Sequence, residues 1–276
     1  MAKNLSTFVA RPLEGLAVEA SLVAMREILP AAVATARLSD PAASPGGEVR
    51  FVTVLPELAR SWRQADGVPV VALQPPRSSD DVSQDLGNAL TAALAAEEGQ
   101  PAEPAPLGHS GPKLQDLVDP DGPTTFELRQ SFDFWADLNP SDSTLVEAAA
   151  ASADELAPTA EVPGLAGAYW ARLGEREYLR WSLGLEEEPM LDALARLQAA
   201  KAAGVMDGAK YAGAFRALGL VIPVWDLPRG TEAADLAEPG AEFKDRLDAA
   251  LAARAPLDAA ARRARAGLVA RSLTLR

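Results

Sequence analysis

What limits this chain most is an absence: it has no cysteine, and its single histidine is His109. Without thiols there are no redox dithiols, no cysteine nucleophiles and no cysteine zinc sites, and one histidine leaves almost no room for a Ser-His-acid triad. The fold has to be held by buried apolar surface. With 276 residues and 48% hydrophobic content the chain can bury one large core or two small ones, and two is the expectation.

The net charge of -13 opposes non-specific attachment to phosphate backbones or anionic membranes. No apolar run approaches the roughly 20 residues of a spanning helix, and residues 1–8 lack the apolar core of a signal peptide, so a cytoplasmic protein is expected. Heavy use of Ala, Arg and Pro with few Lys suggests a high-GC genome.

Residues 18–29 put Val18, Leu22, Met25 and Leu29 on one helical face, and Pro30 ends it. Runs rich in β-formers at residues 32–38 and 48–55 flank a loop and read as a hairpin, followed by a short helix at residues 56–62. The apolar run 68–73 reads as a strand buried on both faces or beside an edge, given Pro69. A helix through Leu86, Leu90 and Leu94 follows, with Ser79, Asp80 and Asp81 suited to its cap and dipole. Residues 99–123 then turn to Pro, Gly and Glu and read as a linker, broken by an apolar patch at residues 114–118. An N-terminal domain of residues 1–98 and a C-terminal domain of residues 124–276 result.

In the second half Phe126, Leu128, Phe132 and Phe134 alternate as in a strand, and a helix follows through Leu145, Ala149 and Leu156, with Thr144 and Glu147 spaced as a capping box. Residues 169–183 form the clearest hairpin, turning at residues 174–176, with Leu179, Trp181 and Leu183 facing the core and Tyr178, Arg180 and Ser182 facing away. Glu186, Glu187 and Glu188 open a helix carrying Met190, Leu191, Leu194 and Leu197. A strand at residues 218–225, a helix at residues 241–253 and a helical segment from residue 256 complete the chain.

The strand, Pro-Arg turn and Leu/Ala-rich helix of residues 72–96 recur at residues 224–253, which fits either an ancient duplication or the Leu and Ala bias of high-GC helices. The expected class is α+β: two small units of helices packed on antiparallel or mixed sheets. Their order of helix, three strands and helix resembles the type III secretion chaperone-like fold, which presents a sheet and helices to partner polypeptides.

Residues 219–233, Glu242-Phe243, Arg262-Arg-Ala-Arg-Ala-Gly-Leu268 and residues 272–276, with Phe8-Val-Ala-Arg-Pro-Leu-Glu-Gly-Leu16 and residues 26–32, carry a closer resemblance. They are similar to an actinobacterial family known as domain of unknown function 5926, over nearly the whole chain. That resemblance implies no activity. Some of its members carry an added Cys-rich zinc motif like that of the protein-export ATPase, which a chain without cysteine cannot form.

Candidate chemistry is sparse. His109 sits in the Pro/Gly stretch with no Ser or acid at motif spacing and reads as a solvated side chain. Asp119-Pro-Asp-Gly-Pro123 looks like the start of a calcium loop, but lacks the remaining ligands and reads as a turn. Glu186, Glu187 and Glu188 could join Asp133 or Asp137 around a cation or as an acid/base couple, although a solvated first helical turn is the default. Gly46-Gly47 lacks the sequel of a phosphate loop.

Two features suggest an interface. Trp135, Tyr169, Trp170, Tyr178, Trp181 and Trp225 all lie in the second half, and strict alternation cannot bury both Tyr169 and Trp170 in one core. One of that pair is expected to face outward or into a cleft, and an exposed Tyr or Trp beside Arg172 and Arg180 would suit an interface, where such residues act as anchors. After Asp258 there are no acids, while Arg262, Arg263, Arg265, Arg271 and Arg276 make a basic segment. Leu268, Val269, Leu273 and Leu275 argue that it docks on the acidic body; the alternative is a tail binding an acidic partner or nucleic acid.

The expectation is therefore a non-catalytic protein-binding or chaperone-like module with another polypeptide as partner and no cofactor or metal. The alternatives are a carboxylate-based enzyme, with or without a divalent metal, and RNA or ribosome association through the Arg-rich C-terminal segment.

Overall fold

Apolar alternation and helical periodicity resolve into two α+β units in a computed structural model, which describes residues 8–269. The chain divides between Leu156 and Ala157.

The first unit contains α1 (Glu19–Glu27), β1 (Ala32–Arg37), β2 (Glu48–Val52), β3 (Ser61–Arg63), β4 (Pro69–Ala72), α2 (Val82–Ala95), β5 (Gln100–Ala102), α3 (Leu114–Leu117), β6 (Thr124–Leu128) and α4 (Ser143–Ala151). Its six strands form a mixed sheet in the order β5-β3-β4-β2-β1-β6, with β2 and β4 parallel. β4 is an interior strand, and Pro69 is tolerated because it is the first residue of that strand. Register places Ala34, Phe51 and Val71 in one cross-strand row, on the side where α1 and α2 pack. The opposite row, Val33, Val52 and Ala72, meets Phe134, Leu138 and Leu145 from the segment after β6. Asp81 caps α2, its carboxylate accepting from the Gln84 N–H.

The second unit contains β7 (Thr159–Glu161), β8 (Ala168–Leu173), β9 (Arg176–Trp181), α5 (Glu187–Ala199), β10 (Lys210–Ala217), β11 (Leu220–Asp226), α6 (Ala237–Ala252) and α7 (Ala259–Val269). Its five strands are all antiparallel, in the order β10-β11-β9-β8-β7. One face packs on the helices through Trp170, Leu179, Trp181 and Trp225 against Met190, Leu194, Phe243 and Leu247. The Phe243 ring meets Trp225 edge-on at 5.2 Å between centroids. Every indole N–H in that core is satisfied: Trp170 donates to the Thr231 carbonyl, Trp181 to Ala166 and Trp225 to Ala203.

Residues 99–123 are not a linker. β5 pairs with β3, and the following strap lies along the polar face of α2. Asp85 accepts from the Gly108 N–H, Asn88 donates to the His109 carbonyl, Gln84 donates to the Gly111 carbonyl, and Ser83 accepts from the Leu114 N–H. Gly87 lets the strap come close: a Cβ there would stand 2.1 Å from the Pro112 carbonyl oxygen. β6 pairs with β1, so residues 124–156 also belong to the first unit. The boundaries expected at residues 98 and 124 are thus replaced by a single one after Leu156.

Smaller differences have local causes. Residues 56–58 form a 3-10 turn and residues 61–63 a strand, in place of one short helix. The Phe126 alternation stops at Leu128, and Phe132 stacks on Trp135 at 4.7 Å in a 3-10 turn. The cap of α4 is Asp142, bonded to the Thr144 N–H, rather than Thr144 itself. The strand, Pro-Arg turn and helix do recur as β4 to α2 and β11 to α6, but β4 has a parallel neighbour and β11 does not. Only the second unit follows its three leading strands with a helix, two strands and a helix.

Candidate functional site

Alternation builds a substantial cleft in the first unit. Glu48 and Arg50 on β2, Thr35 on β1 and Glu127 on β6 share the sheet face that residues 132–156 cover only in part. Together with Gln64, Asp66, Arg129 and Asp137 they ring a cavity of about 560 Å³, floored by Val33, Val52, Val70, Phe134 and Leu138. Its volume lies within the range of small-ligand and side-chain pockets.

The charges of this cleft are largely tied to one another. Arg50 bonds the Gln64 amide oxygen, Asp66 at 3.0 Å and Glu48 at 3.3 Å. Asp66 is itself fixed, its other oxygen accepting from the Val68 N–H. Arg129 pairs with Glu127 at 2.6 Å and Asp133 at 3.4 Å, while its buried Nε has no hydrogen-bond partner. Asp137 is exposed and makes no ion pair among the described residues. Four carboxylates against two guanidiniums leave the lining with an acidic excess.

The residues marked by sequence as interface anchors point inward instead. Tyr169 and Trp170 are both buried, at 2% and 4% exposure, because both faces of the β8-β9 hairpin are shielded and the two side chains occupy opposite ones. Burial raises the pKa of the Tyr169 hydroxyl, and Glu161 adds to the rise. Arg172 lies over the Trp170 ring at 5.1 Å and bonds Glu177, its cross-strand partner, at 3.1 Å and Glu232 at 2.7 Å. Those hydrogen bonds, Glu232 first, raise its pKa. With the Trp170 bond to Thr231, this pair fastens the loop that precedes α6.

Arg180 is also buried rather than facing solvent. Desolvation lowers its pKa to about 10, and its Nε has no partner.

The basic C-terminal helix docks. Arg265 on α7 bonds Asp192 at 2.7 Å and Glu188 at 2.5 Å on α5, with its pKa raised by the Asp192 bond first, and Leu268 is buried in the core cluster. Arg262 bonds the Leu257 carbonyl and is exposed, as is Arg263. Arg271, Leu273, Leu275 and Arg276 lie outside the described residues.

The remaining candidates take structural places. His109 is exposed on the strap, and Asp119 closes a turn, bonding the N–H groups of Asp121 and Gly122. Glu187 pairs with Arg216 and Glu188 with Arg265, while Asp133 pairs with Arg129, so these carboxylates are engaged in two different units. Sequence reasoning missed the cleft residues Arg50, Asp66, Glu127 and Arg129. The available signal was the alternation of Glu48 and Arg50 with Val49 and Phe51, which marks one face of β2 as polar.

A model described as a family of unknown function (DUF5926) matches residues 12–276. The chain belongs to that family. No curated protein and no solved structure matches it. Among the described residues no helix is long and apolar enough to cross a membrane.

Proposed function

We propose that the protein is a non-catalytic, chaperone-like module of the cytoplasm that binds another polypeptide, and that the cleft on its first sheet is the docking surface. The observation carrying this reading is the pairing within the cleft. Both guanidiniums and three of the four lining carboxylates, Glu48, Asp66 and Glu127, are paired with one another, which favours a framed surface over an acid/base centre. The apolar floor offers a seat for an anchoring side chain. The acidic excess of the lining, in a chain of net charge -13, favours a partner segment that carries Lys or Arg beside an apolar residue.

Selection of random phage-displayed peptides against the full-length chain tests this. Enriched peptides should join an apolar residue to Lys or Arg, and the charge reversals Glu127→Lys and Asp137→Lys combined should weaken them about tenfold, or roughly 1.4 kcal/mol. Peptides indifferent to that double variant, or no enrichment, overturn the proposal. Turnover of a substrate that is lost in Asp137→Asn would favour a carboxylate enzyme in its place.

A further inference from the structure

We infer that the second unit carries a separate anion site, a groove that takes the oxyanion of a small molecule. Two cavities of about 360 and about 760 Å³ adjoin through Lys201, Gly204 and Ala209, and are lined by the loop after α5, the start of β10 and residues 239–246 of α6. Lys201, Lys210 and Arg246 border the groove against Asp207 and Glu242, a basic excess on a strongly acidic chain.

These cations are weakly committed. Elsewhere in the unit Arg216, Lys244 and Arg265 hold carboxylates at 2.6 Å, 2.6 Å and 2.7 Å. Arg246 reaches Glu242 only at 3.9 Å and the Gly204 carbonyl at 3.4 Å, while its Nε is buried without a partner. Its guanidinium is held over the Phe243 ring at 5.6 Å, which fixes its place without using its donors. Lys201 and Lys210 make no ion pair among the described residues, and the backbone N–H groups of Gly204 to Gly208 find no acceptor there.

Lys201 stands at the C-terminal turn of α5 with φ of 59°, where the Ala202 N–H returns to the Leu197 carbonyl. Glycine fits that left-handed position at less cost. Its charge complements the helix dipole, which accounts for Lys201 but leaves Lys210 and the long, weak contacts of the Arg246 terminal nitrogens unexplained. An oxyanion in the groove would use all three.

Titration of the full-length protein with inorganic phosphate, and separately with acetate, followed by amide chemical shifts, tests the site. Saturable shifts should be confined to residues 201–211 and 242–246. Tighter phosphate binding would mark a phosphate-bearing ligand, and equal binding a carboxylate. Arg246→Gln should weaken binding about tenfold, as expected for a lost charge-assisted hydrogen bond. Lys201→Gly removes the charge while relaxing the backbone, so it should weaken binding yet leave Tm equal or higher. Arg263→Gln, on the exposed face of α7, should change nothing. Shifts that scatter or fail to saturate, or binding unaltered in Arg246→Gln and Lys201→Gly, overturn the inference.

Discussion

The two units put ion-paired arginines to different uses. In the second, Arg172, Arg216 and Arg265 each tie one element to another: a hairpin to the loop before α6, β10 to α5, and α7 to α5. In the first, Arg50 and Arg129 pair with Glu48 and Glu127 two residues away and with Asp66 and Asp133 in nearby turns, and line an open cleft. The pairing chemistry and the partial exposure of the arginines are shared, and what differs is whether the paired groups border a cleft. Closure of a face yields stability, and a partly covered face whose charges are mostly paired remains available to a partner.

The largest expected effect tests the closed unit. Trp181→Ala removes a side chain that is 1% exposed and packed against Phe243, and should cost about 3 to 5 kcal/mol in urea denaturation. A loss below about 1 kcal/mol would mean that the second core is not closed.

Next comes the strap of the first unit. Gly87→Ala forces a methyl group onto the Pro112 carbonyl, and overpacking of this kind costs about 1 to 3 kcal/mol. Limited proteolysis of the variant should cut residues 103–113 faster than in the parent. Equal cutting rates would return that stretch to the status of a loose linker.

A smaller, opposite change is expected at the turn between β2 and β3, where Glu57 and Leu58 both have positive φ, 55° and 58°. Ala59 donates to the Pro56 carbonyl, a turn whose two central positions suit Asn-Gly. Leu58→Gly should raise stability by up to about 1 kcal/mol after glycine's own entropy cost. A drop in Tm would show that the Leu58 side chain is held by contacts that outweigh the strain.

The smallest effect concerns α7. Arg265→Gln breaks two partly exposed ion pairs and should cost about 0 to 1 kcal/mol, read as a slight fall in Tm. A salt-sensitive RNA interaction lost in that variant with Tm unchanged would instead favour nucleic-acid binding by the segment.

Elements governed by local pattern were legible in the sequence. The hairpin of β8 and β9 follows from alternation, with Leu179 and Trp181 buried as expected, and the Asp81 cap of α2 follows from residue type. What escaped depended on distant partners. The strap is Pro- and Gly-rich like a linker, yet Ser83, Gln84, Asp85 and Asn88 satisfy its backbone, and on a helix such residues read as a solvated face. Arg172 looked free because Glu232 lies sixty residues away in the chain. The cleft required β6 to return beside β1, a pairing that no local signal near Thr124 specifies.

The central claim is that the open face of the first unit receives a polypeptide and the closed second unit does not. Its most direct test is an amide chemical-shift map of the full-length chain with a selected peptide carrying Lys or Arg beside an apolar residue. The account predicts saturable shifts on β1, β2, β6 and residues 133–138. Shifts centred on residues 157–269, or none at saturating peptide, would contradict it.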